Sequence, residues 1–337
     1  MEAYLYEKME NRSVKCGLCS HGCVIKNGSR GICQVRENRD GILHSLVFGK
    51  LIARHIDPIE KKPMFHMLPG SLSYSIATVG CNFKCRFCQN ADIAQMPSEQ
   101  GGMIMGEPAT PEDVVSDALR TGCKSIAYTY TEPTVYFEFA YETAKLAHEK
   151  GIKNVFVSNG YMSAACIEMI APYLDGANID LKAYSNDFYK TYCGGKLEPV
   201  KESLKLMKSK GILVEVTTLL IPGLNDSPAE LEALAEFLAK EMGTETPWHI
   251  SRFHPTYRLT DRPATSLESL VKARDIGLKA GLRYVYMGNV PGRGGEDTIC
   301  HKCGKMLIER QGFHVSQNRV RRGACPDCEA AVYGIGL

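Results

Sequence analysis

The chain has 337 residues, 44% of them hydrophobic, with 40 Lys and Arg against 38 Asp and Glu. Its size suits a large buried core, and its net charge of +2 lacks the basic excess of proteins that bind nucleic acid or anionic membranes. No run reaches transmembrane length and residues 1–15 lack the apolar stretch of a signal peptide, which predicts a cytoplasmic protein without a membrane partner.

Fourteen cysteines require an explanation in that compartment. Cytoplasmic thiols are kept reduced, so the cysteines indicate metal ligation or catalysis and not disulfides. Eleven of them form three tight groups, which are Cys16, Cys19, Cys23 and Cys33; Cys81, Cys85 and Cys88; and Cys300, Cys303, Cys325 and Cys328.

Residues 1–70 are predicted to form an N-terminal cysteine-rich extension that binds a metal and continues into short strands near 42–56. The spacing of its four cysteines, Cys16, Cys19, Cys23 and Cys33, is irregular. Four thiolates suit either a zinc ion or a second iron–sulfur cluster, and the sequence leaves both interpretations open. His21 is a further candidate ligand.

Between residues 71 and 292, short β-type runs alternate with helical patterns, which predicts a core domain built on a parallel sheet. The predicted strands are Leu72–Val79, Ser125–Tyr130, Val155–Ser158, Asn178–Leu181, Ile212–Leu220, Trp248–Phe253 and Tyr284–Met287. Helices are predicted near 111–121, 134–150, 163–173, 187–209, 228–242 and 266–280, with a loop over 89–110. Six or seven βα units fall short of a closed barrel, so an open barrel and a doubly wound sheet both fit.

Cys81, Cys85 and Cys88 follow the first predicted strand with the spacing C-x3-C-x2-C. Three thiolates on a short loop can each bind one iron of a cubane and leave the fourth iron open for chemistry. A zinc knuckle that lacks one ligand and a ferredoxin-type cluster with a distant fourth cysteine are the alternatives. The open cluster is favoured because loops that follow the strands of a βα array form the active face.

With Phe87 before its last cysteine, this segment resembles the signature of the radical S-adenosylmethionine (SAM) superfamily. The resemblance implies a [4Fe–4S] cluster, SAM as cofactor and an incomplete barrel of about six βα units. The expected fold class is therefore α/β, a partial TIM-type (β/α)6 barrel with small N- and C-terminal cysteine-rich metal-binding extensions. The resemblance also implies that SAM binds the open iron and is cleaved reductively, and that the resulting 5′-deoxyadenosyl radical abstracts a hydrogen atom.

The resemblance extends to the activating enzymes of pyruvate formate-lyase. Those enzymes have Gly-Gly-Glu-Pro where this chain has residues 130–133, so Glu132 is expected to accept hydrogen bonds from the SAM ammonium although both glycines are replaced. The other residues that the resemblance places at the cofactor are Ser158, Asn159, Asp180, Lys182 and His254. The alternative for Ser158 and Asn159 is a turn at Asn159-Gly160. The alternative for Asp180 and Lys182 is an ion pair, and the alternative for His254 is a purely structural histidine.

Residues 293–337 are predicted to form a four-cysteine extension of the zinc-ribbon or rubredoxin type. Two C-x2-C knuckles, at Cys300 and Cys303 and at Cys325 and Cys328, provide four thiolates for a closed tetrahedral site. Zinc is the predicted metal, and rubredoxin-like iron is the alternative.

Three solitary cysteines remain. Cys123 and Cys166 are expected to be packing residues of the core. Cys193 lies beyond the fourth predicted strand, near the active face, and is a candidate catalytic thiol.

Nearly the whole chain resembles one subgroup, the radical SAM proteins of the AmmeMemoRadiSam system. The shared features are CGLCSHGC at 16–23, GICQVREN at 31–38, YTYTEP at 128–133, GNVPG at 288–292 and LIER at 307–310. The resemblance implies a radical SAM oxidoreductase or activating-type enzyme, an electron donor such as flavodoxin or ferredoxin, and protein partners from the same gene system; it names no protein or small-molecule substrate. A glycyl-radical activase is the alternative within this class, and a non-catalytic metal-loaded electron carrier or scaffold is the alternative outside it.

Overall fold

The computed structural model describes residues 1–290 and 294–337 and is built around an eight-stranded sheet. Its strands are β1 (Ala53–Pro58), β2 (Leu72–Ala77), β3 (Ser125–Tyr128), β4 (Lys153–Ser158), β5 (Gly176–Asp180), β6 (Leu213–Leu220), β7 (Trp248–Arg252) and β8 (Val285–Gly288). Strands β2 to β8 are parallel, and β1 pairs antiparallel with β2 at one edge. All seven parallel strands therefore lie where the sequence predicts them.

Six helices connect the parallel strands. They are α1 (Pro111–Arg120), α2 (Phe137–Glu149), α3 (Ala164–Ile170), α4 (Leu197–Ser209), α5 (Pro228–Phe237) and α6 (Leu267–Lys279). Each strand pairs with the next one in the chain and the order never reverses. Because right-handed crossovers then place every helix on the same face, the structure is a partial barrel and not a doubly wound sheet, which confirms the expected fold class.

The start of α1 shows how local chemistry sets an element boundary. The Thr110 hydroxyl accepts a hydrogen bond from the Asp113 amide at 3.2 Å, and the Asp113 carboxylate accepts one from the Thr110 amide at 2.9 Å. Pro111 occupies the first helical position, where its missing N–H costs nothing. This reciprocal cap confirms the predicted helix start.

The helix predicted over 187–209 is wrong as a single element. The structure has a short turn at Asn186–Phe188, a wide turn at Tyr189–Cys193 and then α4. Gly194 has a left-handed φ of 78°, and a Cβ at Gly195 would lie 2.5 Å from Cε1 of Phe83. The close approach of the Cys81–Cys88 loop thus interrupts a pattern that is helical by itself. The predicted loop over 89–110 likewise contains two short helices, Ala91–Ala94 and Met96–Glu99.

Residues 59–68 fill part of the barrel interior. Ile59, Met64 and Met67 are fully buried and pack against Ala127, Val155 and Leu213 from three of the parallel strands. The buried Glu215 carboxylate of β6 accepts hydrogen bonds from the backbone amides of Phe65 and His66 at 3.1 and 2.8 Å. This segment consequently belongs to the hydrophobic core inside the barrel.

Small antiparallel units flank the barrel. The N-terminal strands are Tyr6–Lys8, Val14–Cys16 and Val24–Ile25, then Arg36–Arg39 paired with Ile42–Ser45, and Lys50–Leu51 paired with Glu107–Pro108. The C-terminal strands are Thr298–Ile299, Met306–Gln311 and His314–Asn318. Buried arginines fasten both units: Arg36 pairs with Glu138 of α2 at 2.8 Å, and Arg310 donates to the Phe65 carbonyl at 2.8 Å.

The predicted boundary between residues 292 and 293, and the end of the GNVPG segment at 288–292, lie outside the described residues. Within residues 1–290 and 294–337, no helix combines the length and apolarity needed to cross a membrane.

Candidate active site and metal sites

The loop that carries Cys81, Cys85 and Cys88 follows β2 at the carboxyl edge of the parallel sheet. Cys85 is buried, and Cys81 and Cys88 are half-buried. Backbone amides fasten the loop, because Lys84 donates to the Cys193 carbonyl at 2.7 Å and Arg86 donates to the Tyr192 carbonyl at 2.9 Å. The segment that breaks the predicted helix is therefore the support of the cysteine loop.

Glu132, Ser158 and Asn159 come together beside this loop. Glu132 Oε1 accepts hydrogen bonds from the Ser158 hydroxyl at 2.7 Å and from the amide and hydroxyl of Thr134 at 3.1 and 2.5 Å. Its Oε2 accepts one from the Asn159 amide at 2.8 Å, which leaves acceptor capacity on that oxygen. Burial raises the pKa of Glu132, and these hydrogen bonds oppose the rise.

Asn159 also connects β4 with the cysteine loop. Its Nδ2 donates to Asn82 Oδ1 at 2.7 Å and lies 3.9 Å from the Cys81 sulfur. Burial, and next the charge of Glu132, raise the pKa of Cys81 well above its ordinary value. The predicted acid, the predicted turn and the first cysteine therefore form one connected group.

Asp180 and Lys182 form an ion pair at the end of β5, with 2.8 Å between Lys182 Nζ and Asp180 Oδ2. Burial disfavours the charged Lys182, but the charges of Asp180 and Cys85 outweigh it, so the pKa of Lys182 is well above the usual value. Nζ also lies 5.8 Å from the centre of the Phe87 ring. The ion pair thus lies beside the cysteine loop.

Tyr130 occupies the position where the activating enzymes have the first glycine. Its backbone is left-handed, with a φ of 62°, a conformation that glycine adopts freely and tyrosine does not. The side chain compensates, because its hydroxyl bonds to Asp57 and Lys62 Nζ lies 4.4 Å from the ring centre. Asn90 Nδ2 donates to the Tyr130 carbonyl at 2.8 Å. The chain therefore has a left-handed turn at Tyr130 without a glycine there.

Sequence reasoning missed Asp57, Lys62, Asn82 and Asn90. Asp57 and Lys62 belong to the segment predicted as an extension, and only the fold brings them to the end of β3. Asn82 and Asn90 lie within and just after the cysteine motif, which was the available signal.

The two remaining candidates have contrasting surroundings. His254 follows β7 and is exposed. Cys193 is fully buried next to Cys85. The contact lowers the pKa of Cys85, whereas burial, followed by the same contact, raises the pKa of Cys193 well above its ordinary value. The catalytic role of Cys193 stays a prediction. Cys123 and Cys166 are buried in the main core cluster, as predicted.

The C-terminal cysteines form a compact group, with 3.6 Å between the sulfurs of Cys300 and Cys328 and 3.7 Å between those of Cys303 and Cys325. A zinc–sulfur bond of about 2.3 Å in a tetrahedron places neighbouring sulfurs roughly 3.8 Å apart. Burial would raise the pKa of Cys300, but backbone amides of Cys303 and Lys302 donate to its sulfur and bring the pKa to about 7. The group could hold a single metal ion.

Comparison with known proteins places this site in a family. The model of the radical SAM superfamily matches residues 75–238. An uncharacterised protein of Methanocaldococcus jannaschii is 47% identical over 313 residues, covering 93% of this chain and 92% of that protein. The pyruvate formate-lyase-activating enzyme of Clostridium pasteurianum is 24% identical over 209 residues, covering 57% of this chain and 84% of that enzyme. A solved radical SAM methyltransferase from Sphaerobacter thermophilus matches with a TM-score of 0.51 and 19% identity over 71% of each chain.

The chain belongs to the radical SAM superfamily and is an enzyme of that class. The family implies a [4Fe–4S] cluster and SAM, and the residues at the carboxyl edge fit both. The sulfurs of Cys81, Cys85 and Cys88 do not all lie within 4.8 Å of one another, as a cluster with one thiolate per iron requires. Glu132 keeps acceptor capacity next to Cys81, where an ammonium group could be bound.

Proposed function

We propose that this enzyme cleaves SAM reductively at a [4Fe–4S] cluster held by Cys81, Cys85 and Cys88, and that the 5′-deoxyadenosyl radical so formed abstracts hydrogen from a protein or small-molecule substrate. The observation that carries the proposal is the position of the three sulfurs. They lie on one loop at the carboxyl edge of a partial barrel, beside a buried carboxylate. Three protein ligands leave one iron free for a cofactor.

The residues around the loop have separable tasks in this proposal. Glu132 accepts a hydrogen bond from the cofactor ammonium, while Ser158 and Asn159 hold the carboxylate in place. Asp180 and Lys182 form a charged wall beside Cys85. His254, exposed at the end of β7, lies at the rim, where it could contact the adenosine. Activating-type relatives imply a redox partner, and flavodoxin or ferredoxin would supply the electron.

The test is an anaerobic assay for methionine and 5′-deoxyadenosine with dithionite as the reductant. Cys85→Ala should abolish both products, because the cluster loses one of its three ligands. Cys123→Ala is the matched control, since it removes a buried thiol far from the loop in the chain and should leave both products. Product formation by a variant in which Cys81, Cys85 and Cys88 are all replaced with alanine would disprove the proposal.

A second candidate, glycyl-radical activation, is favoured by relatives named as activating enzymes. One is a putative glycyl-radical enzyme activating enzyme of Methanocaldococcus jannaschii, 26% identical over 220 residues. On this proposal the substrate is a protein backbone glycine. Proteins encoded next to this gene should then acquire a glycyl radical visible by electron paramagnetic resonance. Formation of 5′-deoxyadenosine without any protein radical would favour a small-molecule substrate.

A further inference from the structure

The four N-terminal cysteines meet at one cavity. Cys16 ends a short strand, and Cys19, Cys23 and Cys33 lie on the following turns. Their side chains line one narrow cavity, in which the space open to a water-sized molecule is about 20 Å³. The apolar part of the wall consists of Leu18, Ile25, Ile32 and Val135. A buried, largely apolar space surrounded by four thiols indicates a metal centre and not a set of packing cysteines.

The distances between sulfurs separate this group from the C-terminal one. Cys300, Cys303, Cys325 and Cys328 have their sulfurs within 4.8 Å of one another, as a single ion requires. Across the residues that the structure describes, no three of the N-terminal sulfurs meet that limit, and neither do those of Cys81, Cys85 and Cys88. Each thiolate of a cubane binds a different iron, so its ligands are farther apart than those of one zinc ion. The N-terminal sulfurs therefore do not converge on a single ion as the C-terminal ones do.

Two buried nitrogen atoms at the cavity point to an acceptor there. Arg36 Nε and Asn82 Nδ2 have no hydrogen-bond partner within residues 1–290 and 294–337. Arg36 is 2% exposed, Asn82 is 1% exposed, and both line the cavity. A buried donor without a partner destabilises the fold, and a charged donor does so more strongly. The sulfides and thiolates of an iron–sulfur cluster are anionic acceptors that would satisfy both donors.

The surroundings of the thiols agree with ligation by four sulfurs alone. Backbone amides of Ile32 and Val35 donate to the sulfurs of Cys23 and Cys33, which is a common way of stabilising cluster thiolates. His21 lines the same cavity, and its Nε2 lies 2.8 Å from the Asn82 carbonyl, a contact that orients the imidazole ring.

We propose that Cys16, Cys19, Cys23 and Cys33 bind a second [4Fe–4S] cluster, with one thiolate on each iron. Four thiolates leave no open iron, so this cluster would serve electron transfer. It lies against the loop of the first cluster. Gly80, which precedes Cys81, approaches so closely that a Cβ there would lie 3.3 Å from the Cys33 carbonyl, and the side chain of Asn82 lines the cavity itself.

This contact gives the second cluster a role that rests on the proposed function. A low-potential one-electron protein donor would reduce the N-terminal cluster from its 2+ to its 1+ state. The same electron would then pass to the cluster at Cys81, Cys85 and Cys88, and the N-terminal cluster would return to 2+. No atom or proton is transferred in this step.

The first test counts metals in the full chain after anaerobic purification and reconstitution. The wild type should contain about eight irons, and the combined Cys81→Ala, Cys85→Ala and Cys88→Ala variant should retain about four with a reduced-cluster resonance signal. Cys23→Ala with Cys33→Ala should also retain about four, and Cys123→Ala should keep all eight. A second zinc ion beyond the C-terminal one, with no iron in the variant lacking the first cluster, would overturn the assignment. That variant decides the question even if the Cys23, Cys33 variant does not fold.

The second test addresses electron transfer and compares two reductants. The Cys23→Ala, Cys33→Ala variant should still cleave SAM with dithionite, which can reach the first cluster directly, and should lose cleavage driven by reduced flavodoxin. Cleavage that flavodoxin supports as well as in the wild type would overturn the relay. If the wild type cleaves no SAM with either reductant, the proposed function fails, whereas the iron count of the first test is unaffected.

Discussion

The two ends of this chain carry four cysteines each, and the structure arranges them differently. At the C-terminus the sulfurs converge, with 3.6 and 3.7 Å between opposite knuckles. At the N-terminus they line a narrow cavity instead. The two groups therefore differ in geometry although their ligands are of the same type. Ligand identity alone consequently does not specify the metal, because thiolates accept zinc and iron alike.

Backbone geometry explains how each arrangement arises. In the C-terminal knuckles, Gly304 donates to the Cys300 carbonyl and Glu329 donates to the Cys325 carbonyl, both at 2.9 Å, so each pair of cysteines shares one tight turn. The N-terminal cysteines are spread over a strand and a longer loop, and Cys19 is bridged to Met162 beyond β4. Two tight turns can enclose one ion, whereas separate segments can surround a cluster.

The largest expected effect on stability comes from replacing one of the four C-terminal cysteines. Cys325→Ala should release about one zinc and destabilise residues 294–337 by several kcal/mol, because structural zinc binding is itself folding free energy of about 10–16 kcal/mol in small peptides. Metal analysis and thermal unfolding would measure both changes. Iron content should stay at the wild-type value; a parallel loss of iron would show that the two ends are not independent.

The next largest effect concerns the buried ion pair that fastens the N-terminal unit. Arg36→Met leaves Glu138 as a buried charge without its partner at 2.8 Å, which should cost about 3–5 kcal/mol in urea unfolding. The double variant Arg36→Met with Glu138→Gln should recover part of that loss. Zinc content should not change. A stability equal to that of the wild type would show that the N-terminal unit is held mainly by other contacts.

A smaller effect distinguishes the two ends by pH. His66 contacts the C-terminal segment through the Tyr333 carbonyl and β8 through the Tyr286 hydroxyl, both at 2.6 Å, and burial lowers its pKa to about 4. The unfolded chain takes up the proton near pH 6.5 and the folded chain only near pH 4, so stability present above pH 6.5 should fall by up to about 3 kcal/mol as the pH drops towards 4. The Arg36 anchor keeps its charge throughout this range.

Unfolding curves between pH 4 and 8 would measure this dependence. Glu215, His249 and Arg310 also face His66, so His66→Gln is the informative comparison. This substitution should lower the free energy of unfolding at neutral pH and reduce its further decrease between pH 6.5 and 4. Zinc content must be followed at each pH, because the Cys300 thiolate is itself protonated in acid. If the variant loses stability in acid as much as the wild type does, protonation of the cysteines is the cause of that loss.

The smallest expected effect concerns SAM binding by Glu132, at the candidate active site. Glu132→Gln removes a charge-assisted hydrogen bond to an ammonium group, which should weaken SAM binding by about 1.5–3 kcal/mol. Titration of the reconstituted enzyme with SAM would measure it. Iron and zinc contents should both remain unchanged, which separates a binding effect from a cluster effect. Unchanged affinity would show that Glu132 serves only to connect β3 with β4.

Much of the architecture could be predicted from local pattern. Alternation of apolar runs with helical periods located the seven parallel strands, and Thr110 with Pro111 and Asp113 marked a helix start, because strand burial and capping depend on near neighbours in the chain. The three-cysteine motif and its place after the first strand favoured an open cluster, and the resemblance of the motif to the radical SAM signature indicated the reaction class. Glu132, Ser158 and Asn159, all predicted at the cofactor, are hydrogen-bonded to one another, and their contact with SAM stays a prediction.

Tertiary structure decided what depends on distant segments. Gly195 ends a helical pattern because Phe83 lies against it, and Tyr130 keeps a left-handed backbone because Asp57 and Lys62 hold its side chain. The choice between an open barrel and a doubly wound sheet rested on strand order, which short-range periodicity does not encode. The same limit applies to the two four-cysteine groups. Sequence alone determined that thiolates would gather at both ends, but the distances between them are set by packing between residues far apart in the chain.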